Sequence, residues 1–259
     1  MYETIPDFPD IPGLRHLIST REGGVSDGAF ASLNLGYHVH DDPERVTENR
    51  RRLGRAAGYD PTTLVAAQQV HGTALAWVGT ADRGRGAFGL DDAVPDTDGL
   101  LVSEPGVPVA MQVADCAPVL IVDPVRRVLA AVHAGWRGAL AGIASAAVRE
   151  MTDRAHSDPA HLLIGIGPTL CPACLEVGAD VAEAVEDAFG PAVLQRGGEK
   201  PHLDIRAMIA ADLACVGIDG RQIIVHRACP RCHTARYFSH RGQQGQAGRF
   251  ALIAWWNEA

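Results

Sequence analysis

Two histidines and a cysteine stand where apolar runs end: His71 in Gln69-Val70-His71-Gly72, Cys116 in Ala114-Asp115-Cys116-Ala117-Pro118, and His133 in His133-Ala134-Gly135-Trp136-Arg137-Gly138. If their strands share a sheet, the three side chains can converge. Imidazole nitrogen and thiolate sulfur are zinc ligands, and a set of three protein ligands leaves the fourth tetrahedral position for water or substrate, as catalytic sites do. Their wide separation matches no short metal-binding pattern, so a buried cysteine beside two ordinary polar histidines is the competing reading. A cysteine hydrolase is another, with Cys116 as nucleophile and His71 or His133 as base.

Arg137 lies in the turn just after His133, where Gly135 to Gly138 leads from a strand toward an Ala-rich segment. Free N–H groups at a helix start and a guanidinium both favour an anion such as phosphate. The alternative is an arginine paired with a carboxylate to fix the turn. Arg21, beside Gly23-Gly24, carries the same two readings. Asn34, in Ser32-Leu33-Asn34-Leu35-Gly36, offers both a donor and an acceptor to a substrate, or else forms the turn. Asp115 precedes the candidate thiolate and is either an acceptor that orients a ligand or a surface residue.

The chain has 11 His and 6 Cys. Cys171-Pro172-Ala173-Cys174 and Cys229-Pro230-Arg231-Cys232 form two Cys-x-x-Cys pairs, enough ligands for a structural zinc site made of four cysteines. They lie farther apart than ribbon spacing, which favours buried or redox-active thiols over a metal. Cys215 reads as a buried residue on a helix.

These residues need a scaffold of short strands and helices. Strands are predicted over 64–69, 73–78, 107–114, 117–123, 128–133, 162–166 and 223–226, and helices over 138–151, 180–189 and 202–216, with Gly142 a tolerated weak point in the first helix. The Gly-rich stretch 82–89 reads as a mobile loop. No linker or repeat divides the chain, so a single α+β domain over residues 1–259, mixed sheets flanked by helices, is expected.

Composition removes whole classes of function. With 47% hydrophobic and 21% charged residues, the chain is globular rather than disordered. Lys+Arg number 23 against 31 Asp+Glu, a formal net charge of -8, which argues against a nucleic-acid binder. Apolar stretches such as 108–113 and 117–122 are strand-sized, far short of the roughly 18–20 residues of a membrane span. The segment Met1 to Asp7 lacks the features of a secretory signal, so a cytoplasmic location is expected.

Six strings occur in order: Ser19-Thr20-Arg21 with Gly23-Gly24-Val25-Ser26, Ser32 to Gly36, Gln69 to Gly72, Ala114-Asp115-Cys116 with Pro118, His133 to Gly138, and Ile166-Gly167-Pro168. Phe238-Ser239-His240-Arg241 and Gly248-Arg249 close the pattern. Together they resemble the YfiH-like family, whose members are described as laccase-domain or polyphenol-oxidase-type proteins and as zinc-dependent purine nucleoside phosphorylases. Leu175 stands where the family commonly has Tyr.

The resemblance implies that His71, Cys116 and His133 are catalytic zinc ligands. It also implies phosphorolysis of purine nucleosides to free purine and ribose 1-phosphate, with adenosine deamination and methylthioadenosine phosphorolysis as associated activities. Asn34 would then face ribose hydroxyls or the purine edge, and Arg137 the phosphate. The laccase label raises a copper-dependent oxidase as an alternative, and copper can displace zinc from nitrogen and sulfur ligands. Trinuclear copper requires many imidazoles, yet His38-Val39-His40 is the chain's one His-x-His pair. A metal-stabilised binding module without catalysis is the remaining option.

Overall fold

The apolar runs form strands that are buried along their whole length, which is the burial expected when a sheet is covered on both faces. The computed structural model describes residues 1–258. In chain order the strands are β1 (Tyr2–Glu3), β2 (Leu14–Ser19), β3 (Val65–Ala66), β4 (Leu75–Trp77), β5 (Gly99–Val102), β6 (Val109–Val113), β7 (Ala117–Asp123), β8 (Val128–Ala134), β9 (Leu163–Ile166), β10 (Leu194–Gln195), β11 (His202–Leu203), β12 (Ile223–Val225) and β13 (Phe250–Trp256). The helices are α1 (Pro43–Ala57), α2 (Trp136–Leu140), α3 (Ile143–Ala155), α4 (Ala179–Phe189) and α5 (Ile205–Ala214).

Two mixed sheets result, ordered β1-β2-β13-β6-β3 and β12-β9-β7-β8-β5-β4, with β10 and β11 as a separate ribbon. Alternation along each strand sorts the side chains into layers. Leu100, Leu120, Val122 and Leu129 of the larger sheet meet Ile18, Met111, Leu252 and Trp256 of the smaller one in the central core. Leu101, Val119, Ile121 and Val132, on the opposite face, pack with Ala144, Val148 and Met151 of α3 and Met208 and Ile209 of α5. The smaller sheet turns Leu17, Ala110, Ile253 and Trp255 outward, with Leu53 of α1 in the same cluster. The result is a single α+β domain with mixed sheets flanked by helices.

Several predicted elements change. The helix expected over 138–151 is broken: α2 is one short turn, and Gly142 takes a left-handed φ of +79° before α3 begins. Buried Asp212 of α5 stabilises that break by accepting the Ser145 N–H at 2.9 Å, a cap supplied by a neighbouring helix. The helix expected from 202 gives way at its start to β11, and α5 opens at Asp204, whose carboxylate accepts the N–H groups of Arg206 and Ala207. The strands expected over 64–69 and 73–78 shrink to β3 and β4, leaving His71 in a turn.

The 82–89 segment is anchored rather than a mobile loop: Ala87 is buried, and Arg50 donates to the carbonyls of Gly86 and Ala87. Cys215 caps α5 and is exposed, not buried. α1 went unidentified in the sequence despite Asp42 and Pro43 at its start and left-handed Gly58 at its end. Among the described residues no helix is long and apolar enough to cross a membrane.

A Cβ at residue 142 would lie 3.2 Å from both Asp212 Oδ1 and Ser145 Oγ, in a backbone conformation that L-residues disfavour. Gly142→Ala is expected to lower unfolding stability by about 1–2 kcal/mol, measured by urea denaturation. A continuous helix would instead be stabilised by the same change.

Candidate metal centre

Strand register assembles the site. In the β7–β8 pair, Ala117 faces Ala134 and Pro118 faces His133, which brings Cys116, just before β7, to the end of β8. In the β5–β8 pair, Gly99 faces Val132, so Asp98 lies alongside His133 and its carbonyl accepts the His133 N–H at 2.7 Å. β4 runs parallel to β5, and the turn before it carries His71 at a left-handed φ of +63°.

Asp98 holds that turn in place. Its carboxylate, wholly buried, accepts the N–H groups of Val70 at 3.2 Å, His71 at 3.0 Å and Gly72 at 2.7 Å. Its Oδ1 also meets His133 Nδ1 at 2.8 Å, leaving Nε2 as the ring nitrogen available to the cluster. Burial opposes ionisation of Asp98, but these donors keep its carboxyl below the usual carboxylate range.

The donor atoms of His71, Cys116 and His133 all lie within 4.8 Å of one another. The two imidazoles stand nearly perpendicular, at 81°. A Cβ on residue 135 would fall 2.9 Å from His71 Cδ2 and 3.2 Å from Cys116 Sγ, so only glycine permits this approach. Two imidazoles and a thiol that open on a cavity suit a borderline-soft divalent ion with a position left for a further ligand.

The electrostatics agree with that chemistry. Burial disfavours the Cys116 thiolate, but His133 and His71 bring its pKa down to about 6. Burial likewise disfavours the His133 imidazolium, but Cys116 and Asp98 raise its pKa to about 9. Each group thus favours the charged form of the other.

The cluster forms part of the wall of a cavity of about 470 Å³, together with Arg137, Arg241, Arg249, Trp136 and His240. Asp115 is the one carboxylate in that lining. Arg137 is exposed at the rim, its guanidinium carbon 4.3 Å from the centre of the Trp136 ring, and among the described residues it has no carboxylate partner. The helix start expected to aid it belongs to α2, only 5 residues long, too short for an appreciable dipole.

Other expected site residues lie elsewhere or act differently. Arg21 is outside the cavity lining; its guanidinium donates to the carbonyls of Ala31 at 2.8 Å and Thr234 at 2.6 Å, and sits over Phe238. Asn34 is fully buried: its amide donates to Gly36 and Asp41, and its carbonyl accepts from Gly36 and from Arg249 N–H. It therefore positions Arg249 rather than a substrate. Asp115 orients no ligand; it accepts from Ser239 Oγ and the Arg241 N–H, both at 2.6 Å. The orienting acceptor is Asp98, which no flanking pattern in Thr97-Asp98-Gly99-Leu100 distinguishes from an ordinary turn aspartate. Trp136 and Gln112 were also missed as cavity residues.

A family model described as multi-copper polyphenol oxidoreductase laccase matches residues 15–257. The chain belongs to this family. Purine nucleoside phosphorylase YlmD of Geobacillus stearothermophilus is 36% identical over 245 residues, 93% of this chain and 89% of the relative. Purine nucleoside phosphorylase YfiH of Escherichia coli K12 is 35% identical over 253 residues, 97% of each chain. The crystal structure of YlmD from Geobacillus stearothermophilus superposes with a TM-score of 0.93 at 34% identity, covering 97% of this chain and 94% of that one. This member of the laccase family is thus similar along nearly its whole length to proteins named as phosphorylases.

Asp98→Asn removes the acceptor that fixes the His133 tautomer and is expected to weaken metal affinity about 10- to 100-fold, measured by competition with a chromophoric chelator. Unchanged affinity would remove Asp98 from the site. In chelator-stripped protein, alkylation of Cys116, followed by peptide mass spectrometry, should reach half its maximal rate near pH 6. A midpoint in the ordinary thiol range would mean that the imidazoles do not act on it.

Proposed function

We propose that this protein is a zinc-dependent purine nucleoside phosphorylase that joins phosphate to the sugar carbon as the bond to the base breaks. The products are ribose 1-phosphate and a free purine. The observation that carries this reading is the opening of the His71, Cys116 and His133 donor set onto a cavity that also presents Arg137, Arg241 and Arg249. The names of the relatives support it. A bound ion would supply Lewis acidity at the cavity wall.

The chain's own groups divide the remaining work. Arg137 presents a fork of donors to phosphate from the rim. Trp136 offers an apolar ring beside it. Gln112 also contributes to the cavity wall, held in place by contacts of its backbone with the Gln69 side chain. Asp98 acts on the reaction only through His71 and His133.

The order Cys116, His133, Asp98 favours a second reading, a cysteine hydrolase, since a thiol, an imidazole and the carboxylate that orients it stand in sequence. The oxidase reading draws less support: among the described residues one mixed His/Cys group is present, and the other cluster is all cysteine.

Adenosine, inosine, guanosine and methylthioadenosine should be incubated with and without phosphate and the products separated by chromatography, alongside metal analysis. Free base that forms only with phosphate and is lost on chelation is the expected result, with deaminated adenosine as a side product. Arg137→Ala should lower kcat/KM for phosphate about 10- to 100-fold. Absence of base and deaminated product across the panel would defeat the reading, and turnover that survives chelation but not Cys116 alkylation would select the hydrolase.

A further inference from the structure

The two Cys-x-x-Cys segments contribute none of their sulfurs to the cavity, yet the fold brings them together. β9 and β12 are parallel neighbours, with Val225 facing Ile166, so the chain leaves both strands at the same end. One pair follows each strand. The donor sulfurs of Cys171, Cys174, Cys229 and Cys232 all lie within 4.8 Å of one another.

We propose that these four cysteines hold a second metal ion, a closed tetrathiolate site of the zinc type whose role is structural. Metal–sulfur bonds of about 2.3 Å in a tetrahedron place the sulfurs about 3.8 Å apart. Cys174 and Cys232 are 3.5 Å apart and Cys171 and Cys232 4.0 Å, on either side of that edge. All four are free thiols. Four protein ligands leave no open position, which distinguishes this site from the three-donor cluster in the cavity.

The backbone shapes the site without help from a metal. Each pair has proline directly after its first cysteine, which fixes φ where the chain turns. Cys174 N–H donates to the Cys171 carbonyl at 2.9 Å, and His233 N–H to the Cys229 carbonyl at 3.0 Å, closing a tight turn at each. One guanidinium spans the two: Arg206 donates to the carbonyls of Thr169 at 2.9 Å and Ala228 at 2.8 Å, just ahead of each pair. Cys174 and Cys229 are buried and Cys232 exposed, so the site sits at the surface with a path for loading.

An ion here would tie the loop after β9 to the loop after β12. Leu170 and Leu175, which flank the first pair, line the cavity, and Arg241 donates to the Glu176 carbonyl next to them. The tetrathiolate would therefore brace one wall of the cavity from behind.

Metal analysis of the purified protein should give two equivalents per chain, and one in Cys116→Ser. Cobalt-substituted Cys116→Ser should show the strong thiolate-to-cobalt absorption of a tetrathiolate, and chelation of that variant should lower its Tm. Cys171→Ser with Cys232→Ser should also carry one equivalent. A metal-free Cys116→Ser protein that takes up no cobalt at a tetrathiolate would overturn the proposal, as would a native disulfide within either pair in mass spectrometry. Both of these readouts stand whether or not the double variant folds.

Discussion

A carboxylate sealed from water is costly unless donors surround it, and Asp98 meets that cost with four. Three are backbone N–H groups from one turn, and the fourth is the ring of His133. The same contacts that keep Asp98 charged hold His71 in a left-handed conformation and select the His133 nitrogen that faces the cluster. Removing one of them leaves the buried carboxylate short of a donor. The turn, the strand end and the imidazole orientation are therefore one unit.

Around that unit the two sheets act as a jig. Because alternate side chains of these buried strands belong to two differently packed apolar layers, a slip by one residue would exchange them between layers, and that packing holds the register that sets Asp98 beside His133 and Cys116 at the end of β8. The chain passes from the smaller to the larger sheet through Ala114-Asp115-Cys116, so the thiol sits at the seam between them. Asp115, at a φ of +92°, spends its carboxylate on the 239–241 segment and so brings Arg241 to the cavity.

The charge of the molecule and the charge of the cavity have opposite signs. A chain of formal net charge -8 gathers three arginines around one aspartate in this lining. Screening confines surface charge to roughly 8–10 Å at physiological salt, so an anion inside the cavity responds to its walls more than to the distant acidic surface. The arrangement also makes Asn34 intelligible: it is fully buried, and it holds the backbone of Arg249 at the cavity edge.

Much of this was legible in the residues alone. Apolar runs marked β6 to β9, because strand periodicity is a local property, whereas His71, Cys116 and His133 were candidates by residue type alone and were singled out as a set by the resemblance of the strings around them. Asp98 was not legible, since nothing local separates a buried acceptor from a turn aspartate until a strand is laid beside it. The break at Gly142 depends on a cap from Asp212 in another helix, and the convergence of two distant cysteine pairs depends on β9 and β12 becoming neighbours. Arg21 and Asn34 had the chemistry of ligand-binding residues, but contacts far along the chain committed a donor of Arg21 and the side-chain acceptor of Asn34 elsewhere. Residue type sets which interactions are available to a side chain; which of them it makes is set by neighbours that only long-range packing supplies.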